Sequence, residues 1–262
     1  MVIRTGQTRE PQTTLHTSNY CVAYLDILGG VNKIKADKDN KFLNLLNMLY
    51  VDVFNEAQGI FNEDKDIVVK IFSDNILLAM QIEKESPEKE KKIQRLLNVV
   101  SNIYNEALRY GYLLRGGISE GELFINEIFV YGKALLDVYK MESKIAIYPR
   151  VLVSKEIYEL LPHYCLPGED GLPFLNNFLF FFTNECITHK LRLLEMLKEN
   201  KNDLKVKQKI MWLINKFNEY NRAEKDLGRL DYQIIEQSEI NKALVDDKSS
   251  EEAVKIGESS DV

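Results

Sequence analysis

Two aspartates beside turn residues are the side chains in this sequence best suited to metal chemistry. Asp26 ends an apolar run and is followed by Gly29 and Gly30, while Asp74 lies in a Ser-Asp-Asn turn between two β-rich runs. A carboxylate at a strand end can hold a divalent cation, and the glycines that follow can present backbone N–H groups to phosphates. Two carboxylates from neighbouring strand ends suit a two-metal site, because Mg²⁺ prefers hard oxygen ligands and bridges phosphate oxygens. Each aspartate alone is also compatible with a structural role, Asp26 as a helix cap and Asp74 as an exposed turn residue.

The elements that position these aspartates follow from the spacing of apolar residues. Residues 20–25 predict a buried strand that ends at Asp26, and residues 66–72 and 76–80 predict a hairpin with Asp74 at its tip. The same criteria predict the other elements: helices over residues 41–58, 91–109, 133–145 and 155–161, strands over 112–124, 150–153 and 174–182, and two helical stretches within 189–221. The chain is therefore expected to mix strands and helices, with the two aspartates at neighbouring strand ends.

Composition and charge exclude several classes of function. The chain has 262 residues and a net charge of −6, so a broad nucleic-acid footprint is not expected. No apolar run approaches the ~20 residues that a membrane helix needs, and the polar N-terminal stretch lacks the apolar block of a signal peptide. Three cysteines without a CxxC pair argue against a disulfide framework or a zinc cluster. These features predict a protein of a reduced cytoplasmic setting that binds neither nucleic acid nor membranes.

Four segments resemble the motifs of class III nucleotidyl cyclases in their order and approximate spacing. They are residues 24–29, 70–74, 115–118 and 132–142. Within that family the sequence most resembles the bacterial pyrimidine cyclases of the Pycsar anti-phage systems, which make cyclic UMP or cyclic CMP. The similarity covers roughly residues 19–160, and the helix around residues 209–213 resembles the C-terminal extension of that subgroup.

The resemblance implies an α+β fold. Its core is expected to be ferredoxin-like, an antiparallel-rich sheet with helices packed on it, followed by a C-terminal helical extension. On this division residues 1–18 form a flexible arm, 19–160 the catalytic domain, 161–245 the extension packed on the core, and 246–262 a disordered tail rich in Ser, Glu and Asp. A head-to-head homodimer with composite active sites at its interface is also implied.

The resemblance also assigns roles to the two aspartates. Asp26 and Asp74 fall on the metal-binding positions of the family, and the Ile27 carbonyl falls on the position of a backbone metal ligand. They would hold two Mn²⁺ or Mg²⁺ ions, which help the ribose 3′-hydroxyl to attack the α-phosphate and anchor the triphosphate. The helix N-terminal amides from Leu28 through Gly29 to Gly30 would take the phosphate charge.

Several further side chains are implied to contact the nucleotide. Lys70 matches a base-reading lysine, and its ammonium group, which only donates hydrogen bonds, suits the O2 or O4 atom of a pyrimidine as well as a purine acceptor. Phe129 matches a second base-reading position, where purine cyclases usually have a polar residue, so its ring argues against ordinary purine readout. Lys70 is alternatively an exposed strand lysine, and Phe129 alternatively fills the wall of a strand. Arg115 and Arg150 are candidates for triphosphate contacts, and both are equally compatible with structural ion pairs.

Two positions depart from the purine cyclases. Their transition-state asparagine and arginine correspond here to Leu136, which cannot hydrogen-bond the ribose, and to Lys140, which keeps the charge but lacks the bidentate fork of arginine. Residues 138–142 nevertheless resemble the pyrimidine-cyclase subgroup. Lys140 is therefore assigned as a catalytic residue together with Asp26 and Asp74.

The sequence thus predicts a metal-dependent enzyme that converts UTP or CTP to 3′,5′-cyclic UMP or cyclic CMP and pyrophosphate. By resemblance, this product would be the second messenger of an anti-phage defence system and would activate a separate effector. Two alternatives stay open. One is a purine (adenylate or guanylate) cyclase with an unusual pocket, and the other is a catalytically silent cyclase-fold module that binds nucleotide to regulate another process.

Overall fold

A computed structural model describes residues 14–58, 66–179, 183–226 and 233–245. Within these ranges the strands are β1 (Ser18–Ile27), β2 (Ile67–Phe72), β3 (Asn75–Gln81), β4 (Leu114–Ile125), β5 (Val130–Tyr131), β6 (Val151–Val153), β7 (Cys165–Leu166) and β8 (Phe174–Leu175). The helices are α1 (Gly30–Ala36), α2 (Lys41–Gln58), α3 (Lys89–Arg109), α4 (Lys133–Lys140), α5 (Lys155–Leu160), α6 (Thr183–Glu199), α7 (Leu204–Asp226) and α8 (Gln237–Leu244). A π-helical turn, Met141–Ile145, directly continues α4, and a 3₁₀ turn spans Pro162–Tyr164.

The first four strands and the helices between them have ferredoxin-like connectivity. β1 lies between β3 and β4, β2 pairs with the outer edge of β3, and all three pairings are antiparallel. Since α1 and α2 connect β1 to β2 and α3 connects β3 to β4, the order is β-α-β-β-α-β. Beyond β4 the sheet continues through the parallel strand β6 and then β8 and β7. The predicted α+β class with an antiparallel-rich sheet is confirmed.

Successive side chains of β1 point to opposite faces of the sheet, and different helices pack on these two faces. Ala23 and Leu25 belong to the large core that includes side chains of α2 and α3, whereas Val22 and Tyr24 pack with residues of α4. Asp26 continues the second series, so it lies on the side of the sheet that α4 covers. We call this side the α4 face.

Helix α4 lies close to β4 because glycine occupies the contact point. A Cβ atom at Gly117 would lie 2.6 Å from the Met141 Cβ atom and 3.0 Å from the Val138 carbonyl oxygen. Any side chain there would push α4 and the π-helical turn away from the sheet. The helix predicted over residues 133–145 has the expected extent, but its last turn is π-helical rather than α-helical.

The C-terminal helices share the large core with α2 and α3. Leu193 of α6 and Ile210, Ile214 and Phe217 of α7 are fully buried within it. None of the helices in the described ranges is both long enough and apolar enough to span a membrane.

The strand predicted over residues 174–182 needs correction. Only Phe174–Leu175 pairs with the sheet, because the chain then turns at Asn177. The carbonyl oxygen of Asn177 accepts hydrogen bonds from Ser101 Oγ and Asn105 Nδ2 of α3, which anchors the turn against that helix. The last part of the prediction, residues 180–182, lies outside the described residues.

The two predicted flexible ends fall mostly outside the described residues. Residues 1–13 of the predicted arm lie outside them, and Ser18, its last residue, already belongs to β1. The predicted disordered tail, residues 246–262, also lies outside the described residues.

All three cysteines are buried: Cys21 in β1, Cys165 in β7 and Cys186 in α6. Burial raises the pKa of the Cys21 thiol, with a smaller contribution from the negative charge of Glu120. Burial alone raises the pKa of Cys165 to about 12. Both thiols are therefore protonated and unreactive at neutral pH.

Candidate active site

The end of β1 and the tip of the β2–β3 hairpin lie side by side. Asp26 is directly opposite Asn75 in the β1–β3 pairing, and the Ile27 N–H donates a 3.2 Å hydrogen bond to the Asp74 carbonyl oxygen. Neighbouring strands are about 4.8 Å apart, so this pairing keeps the two aspartates at one end of the sheet. The structure thus brings together the two residues that the sequence marks as metal ligands.

The turn that carries Asp74 is fixed from two sides. Ser73 adopts a left-handed conformation with a φ of 57°, and its carbonyl oxygen accepts a 2.5 Å hydrogen bond from the Tyr50 hydroxyl of α2. Asp74 Oδ1 accepts hydrogen bonds from Ser73 Oγ at 3.0 Å and from Asn75 Nδ2 at 3.3 Å. Only 4% of the surface of Asp74 is exposed, so the expectation of an exposed turn residue is wrong.

The second carboxylate oxygen of Asp74 lies against the first residue of α1. A Cβ atom at Gly30 would be 1.9 Å from Asp74 Oδ2, so only glycine leaves room for this carboxylate. Within the described part of the chain, Oδ2 accepts no hydrogen bond, in contrast to Oδ1. This oxygen has a lone pair to offer to a cation.

Asp26 belongs to an ion-pair chain that includes a buried glutamate. Arg115 Nε donates to Asp26 Oδ2 at 3.0 Å, and Arg115 Nη2 lies 2.7 Å from Glu142 Oε1. Arg115 is directly opposite Asp26 in the β1–β4 pairing, while Glu142 comes from the π-helical turn. Arg115 therefore bridges two carboxylates, which is the structural ion pair that the sequence allows for it.

The carboxylates at this end of the sheet are close enough to repel one another. Burial is the main cause that raises the pKa of Asp26; Arg115 partly offsets the rise, and the negative charge of Asp74 adds to it. Burial also raises the pKa of Glu142 to about 7, against the lowering effect of Arg115 and with further increases from Asp26 and Asp74. Because the three carboxylates feel one another's charge, an added cation would relieve their repulsion.

The donor set suits a hard divalent cation but is small. Asp26 and Asp74 supply carboxylate oxygens, the ligand type that Mg²⁺ and Mn²⁺ prefer. Among the described residues, no group of three or more His, Cys, Asp or Glu side chains is arranged to hold a metal ion. The two aspartates and the Ile27 carbonyl would therefore need substrate oxygens and water to complete the coordination, as is usual for Mg²⁺ at phosphate sites.

The backbone that follows β1 offers fewer amides to a phosphate than the sequence predicts. The Leu28 N–H donates a 2.8 Å hydrogen bond to the Leu113 carbonyl oxygen, which occupies the first amide of the predicted set. Gly29 has a left-handed φ of 80°, and no atom lies within 4 Å of the position that its Cβ atom would take. Gly29 therefore faces open space, and its contact with phosphate stays a prediction.

Lys70 lies on the α4 face and contacts the segment that leads to Phe129. Lys70 is opposite Leu77, which packs with residues of α4, so both side chains point to that face. Lys70 Nζ donates a 3.0 Å hydrogen bond to the carbonyl oxygen of Glu127, two residues before Phe129. Phe129 packs against Phe124 with ring centroids 5.1 Å apart and remains 45% exposed. Lys70 is thus connected to the segment that carries Phe129 by one hydrogen bond, and the contact of these two residues with a base stays a prediction.

The two transition-state positions lie on the outer side of α4. Leu136 is 67% exposed, and Lys140 is exposed as well. In the residues that the structure describes, Lys140 makes no hydrogen bond or ion pair. Lys140 is therefore not joined to Asp26 or Asp74 within one chain.

Arg150 pairs with Asp170 and not with Asp26 or Asp74. Its guanidinium forms two hydrogen bonds with Asp170, one of 3.0 Å between Nη1 and Oδ1 and the other between Nη2 and Oδ2. It also lies 5.9 Å from the ring centroid of Phe174, and only 5% of Arg150 is exposed. Of the two alternatives for Arg150, the structure therefore favours the structural ion pair.

Sequence reasoning does not find the roles of Glu142 and Lys209. The motif at residues 138–142 contains Glu142, but its contact with Arg115 depends on how the π-helical turn packs on β4. Lys209 comes from α7: burial is the main cause that lowers its pKa, the charge of Arg115 lowers it further, and the charges of Asp203 and Asp26 raise it. No local pattern marks Lys209, because its relation to the site exists only in the folded chain.

Exposed apolar side chains surround the candidate site on the α4 face. They are Val68, Phe72, Leu136 and Tyr139. Tyr24 connects members of this set, with ring centroids 6.2 Å from Phe72 and 6.0 Å from Tyr139. Exposed apolar surface of this kind is typical of a face that binds another molecule.

Comparison with solved structures finds nucleotide cyclase domains. The adenylyl cyclase CyaB from P. aeruginosa is 15% identical over 57% of this chain and 83% of that chain, with a TM-score of 0.47. The monomeric guanylyl cyclase domain of the RhoGC fusion protein from the aquatic fungus Blastocladiella emersonii is 13% identical over 62% of this chain and 98% of that chain, with a TM-score of 0.49. The guanylate cyclase domain of RhGC from Catenaria anguillulae, in complex with GTP, is 14% identical over 62% of this chain and 96% of that chain, with a TM-score of 0.47. No model of a known protein family matches the sequence, and no curated protein matches it either. The ferredoxin-like assignment of the core rests on its own strand order.

Proposed function

We propose that this protein is a metal-dependent nucleotidyl cyclase that converts UTP or CTP to the 3′,5′-cyclic monophosphate and pyrophosphate. One observation carries the proposal. Asp26 and Asp74, far apart in sequence, meet at one end of the sheet, where their charges act on each other and one oxygen of Asp74 accepts no hydrogen bond within the described residues. The sequence resemblance to class III nucleotidyl cyclases supports the same roles for both residues.

Asp26, Asp74 and the Ile27 carbonyl are the groups that would hold two divalent cations, Mn²⁺ or Mg²⁺. Bound cations would supply charge neutralisation at the triphosphate and a lowered pKa at the ribose 3′-hydroxyl. The chain's own contribution is to fix the two carboxylates. Tyr50 holds the turn that carries Asp74, and Arg115 holds Asp26 in register with β4. Fixed ligands matter because small displacements of reacting groups cost large factors in rate.

The chemistry of Lys70 and Phe129 supports a pyrimidine base as substrate. The Lys70 ammonium has three N–H donors and gives one to the Glu127 carbonyl, so two remain for the O2 or O4 atom of a pyrimidine. Phe129 offers an exposed ring that can stack on a base but cannot read the polar edge of a purine.

A homodimer with composite sites is the arrangement in which Lys140 would act. Lys140 lies on the outer side of α4, next to the exposed apolar side chains Leu136 and Tyr139. When two copies meet through their α4 faces, these apolar side chains are buried and Lys140 can approach the triphosphate in the site of the partner subunit.

The experiment that tests the proposed function is incubation of the purified protein with each of the four NTPs and Mn²⁺, followed by product analysis. We expect cyclic UMP or cyclic CMP with pyrophosphate. Asp74→Asn keeps the shape of the side chain but removes its charge, so it should abolish turnover. Asp66→Asn, an exposed position at the opposite end of the same hairpin, is the matched control and should retain full turnover.

Three outcomes would contradict the proposal. Cyclic product from ATP or GTP alone would indicate a purine cyclase. Tight NTP binding without turnover, measured by isothermal titration calorimetry, would indicate a silent nucleotide-binding module. Full turnover in Asp74→Asn would remove the metal-ligand role of that residue.

The biological role that we propose is synthesis of a second messenger in anti-phage defence, with a separate effector that responds to the cyclic nucleotide. The support for this role is the sequence resemblance to pyrimidine cyclases of Pycsar systems. Asp26→Asn should abolish cyclic nucleotide formation and phage protection together. Phage protection by a variant that forms no cyclic nucleotide would show that defence does not depend on this product.

A further inference from the structure

Helix α7 of the C-terminal extension presents a stripe of residues to the segment that follows α4. Lys209, Trp212 and Lys216 are spaced three and four residues apart, so they share one side of the helix. Trp212 stacks on Tyr148 with ring centroids 5.3 Å apart and an interplanar angle of 16°. Trp212 also packs, with Met141 and Ile145 of the π-helical turn, against a shared buried cluster. This side of α7 therefore lies beside the turn that carries Glu142.

The two lysines of this stripe differ in their partners. Lys216 forms ion pairs with Glu219 at 2.8 Å and with Glu169 at 3.4 Å. Lys209 is partly buried and, within the described residues, makes no hydrogen bond or ion pair. Removing a lysine from water without giving it an anionic partner is unfavourable, which makes Lys209 a candidate for a ligand contact.

The surroundings of Lys209 connect it to the candidate active site. Burial is the main cause that lowers its pKa; the positive charge of Arg115 lowers it further, and the negative charges of Asp203 and Asp26 raise it. Asp203 Oδ1 accepts the N–H groups of Lys205 and Val206 and thus caps the start of α7. The guanidinium of Arg115 is already held by two carboxylates.

We propose that Lys209 binds the phosphate chain of the nucleoside triphosphate, so that the C-terminal extension contributes a residue to the active site. This inference rests on the proposed function, because it assigns a role to Lys209 at that same site. A triphosphate carries several negative charges, and a lysine ammonium is a well-suited point charge for such a group. Arg115 is occupied in its two ion pairs, whereas Lys209 makes no ion pair within the described residues and is open to an anion.

The test measures binding of inorganic tripolyphosphate in the presence of Mn²⁺ by isothermal titration calorimetry. For Lys209→Gln we expect binding at least about tenfold weaker than wild type, the usual size of the loss of one charge-assisted hydrogen bond. Lys209→Arg keeps the charge and should stay within about threefold of wild type. Lys207→Gln removes the same charge two residues away on the opposite side of α7 and should bind as wild type does.

A parallel assay of cyclic nucleotide formation separates this inference from the proposed function. In an active enzyme, Lys209→Gln should raise KM for the NTP, and Lys209→Arg should restore it. Tripolyphosphate binding that is absent in wild type, or unchanged in Lys209→Gln, would overturn the inference even if the protein is a cyclase. Weaker tripolyphosphate binding in Lys209→Gln, in a protein that forms no cyclic nucleotide, would support the phosphate contact and contradict the proposed function alone.

Discussion

Substitution of Gly30 by alanine tests whether the position of the Asp74 carboxylate is what the site depends on. The added Cβ atom would lie 1.9 Å from Asp74 Oδ2, 2.7 Å from Cγ and 2.8 Å from Cβ, all atoms of one short side chain. Ordinary contact begins near 3.4 Å, so the carboxylate oxygen and the new methyl group must separate by about 1.5 Å. Since a displacement of ~1 Å can cost about 100-fold in rate, we expect the turnover of Gly30→Ala to fall by about 100-fold.

Cyclic nucleotide formation at saturating Mn²⁺ is the assay, with the melting temperature measured in parallel. Overpacking costs typically 1–3 kcal/mol, or roughly 2–4 °C per kcal/mol for a chain of this size, so Gly30→Ala should remain folded at 25 °C. Gly121→Ala is the control, because its Cβ atom would make an ordinary 3.5 Å contact with the Ala134 Cβ atom. We expect it to retain turnover. If Gly30→Ala turned over as fast as Gly121→Ala, the activity would not depend on the position of the Asp74 carboxylate, and the prediction would be wrong.

Two further predictions concern buried charges. Glu142 has an ordinary pKa of 4.5 and a pKa of about 7 in the folded protein, so between these values the folded state holds a proton that the unfolded state has lost. Stability should therefore fall as the pH rises from about 4.5 to about 7 and then level off. Melting temperatures measured in EDTA should fall with rising pH over this range in wild type and should fall less in Glu142→Gln. An equal fall in both proteins would show that Glu142 is not the group that holds the proton. Arg150→Ala should lower the free energy of unfolding in urea by about 1–2 kcal/mol, because it removes a buried side chain that packs near Phe174 and pairs with the half-exposed Asp170. Tripolyphosphate binding should stay at the wild-type level; weaker binding would instead place Arg150 in the active site.

The parts of the fold that the sequence predicts are those with a strong local signal. Helix α2 has the predicted bounds, Lys41–Gln58, because its apolar residues repeat at helical spacing over many turns. The β2–β3 hairpin is also predicted, since a Ser-Asp-Asn turn separates two β-rich runs. The strand predicted over 174–182 is wrong beyond Leu175, because apolar composition alone does not distinguish a strand from a buried turn.

Of the candidate site, the sequence predicts only those residues that lie at the ends of strands. Asp26 and Asp74 follow from their positions after β-rich runs, and the pairing of β1 with β3 brings them together. The burial of Asp74 depends on Gly30 and Tyr50, which are distant in sequence from the turn. The bridge from Arg115 to Glu142 likewise requires the π-helical turn to pack on β4, a contact that no local pattern encodes.

The burial of Cys21, Cys165 and Cys186 makes the protein suitable for selective fluorescent labelling without removal of its native cysteines. A maleimide dye needs an accessible thiolate, and burial raises the pKa of the Cys21 and Cys165 thiols. A single new cysteine at Leu136, a residue that is 67% exposed, would therefore be the preferred point of attachment. Energy transfer between two differently labelled samples would then report directly on whether the outer surfaces of α4 meet when copies of the chain associate.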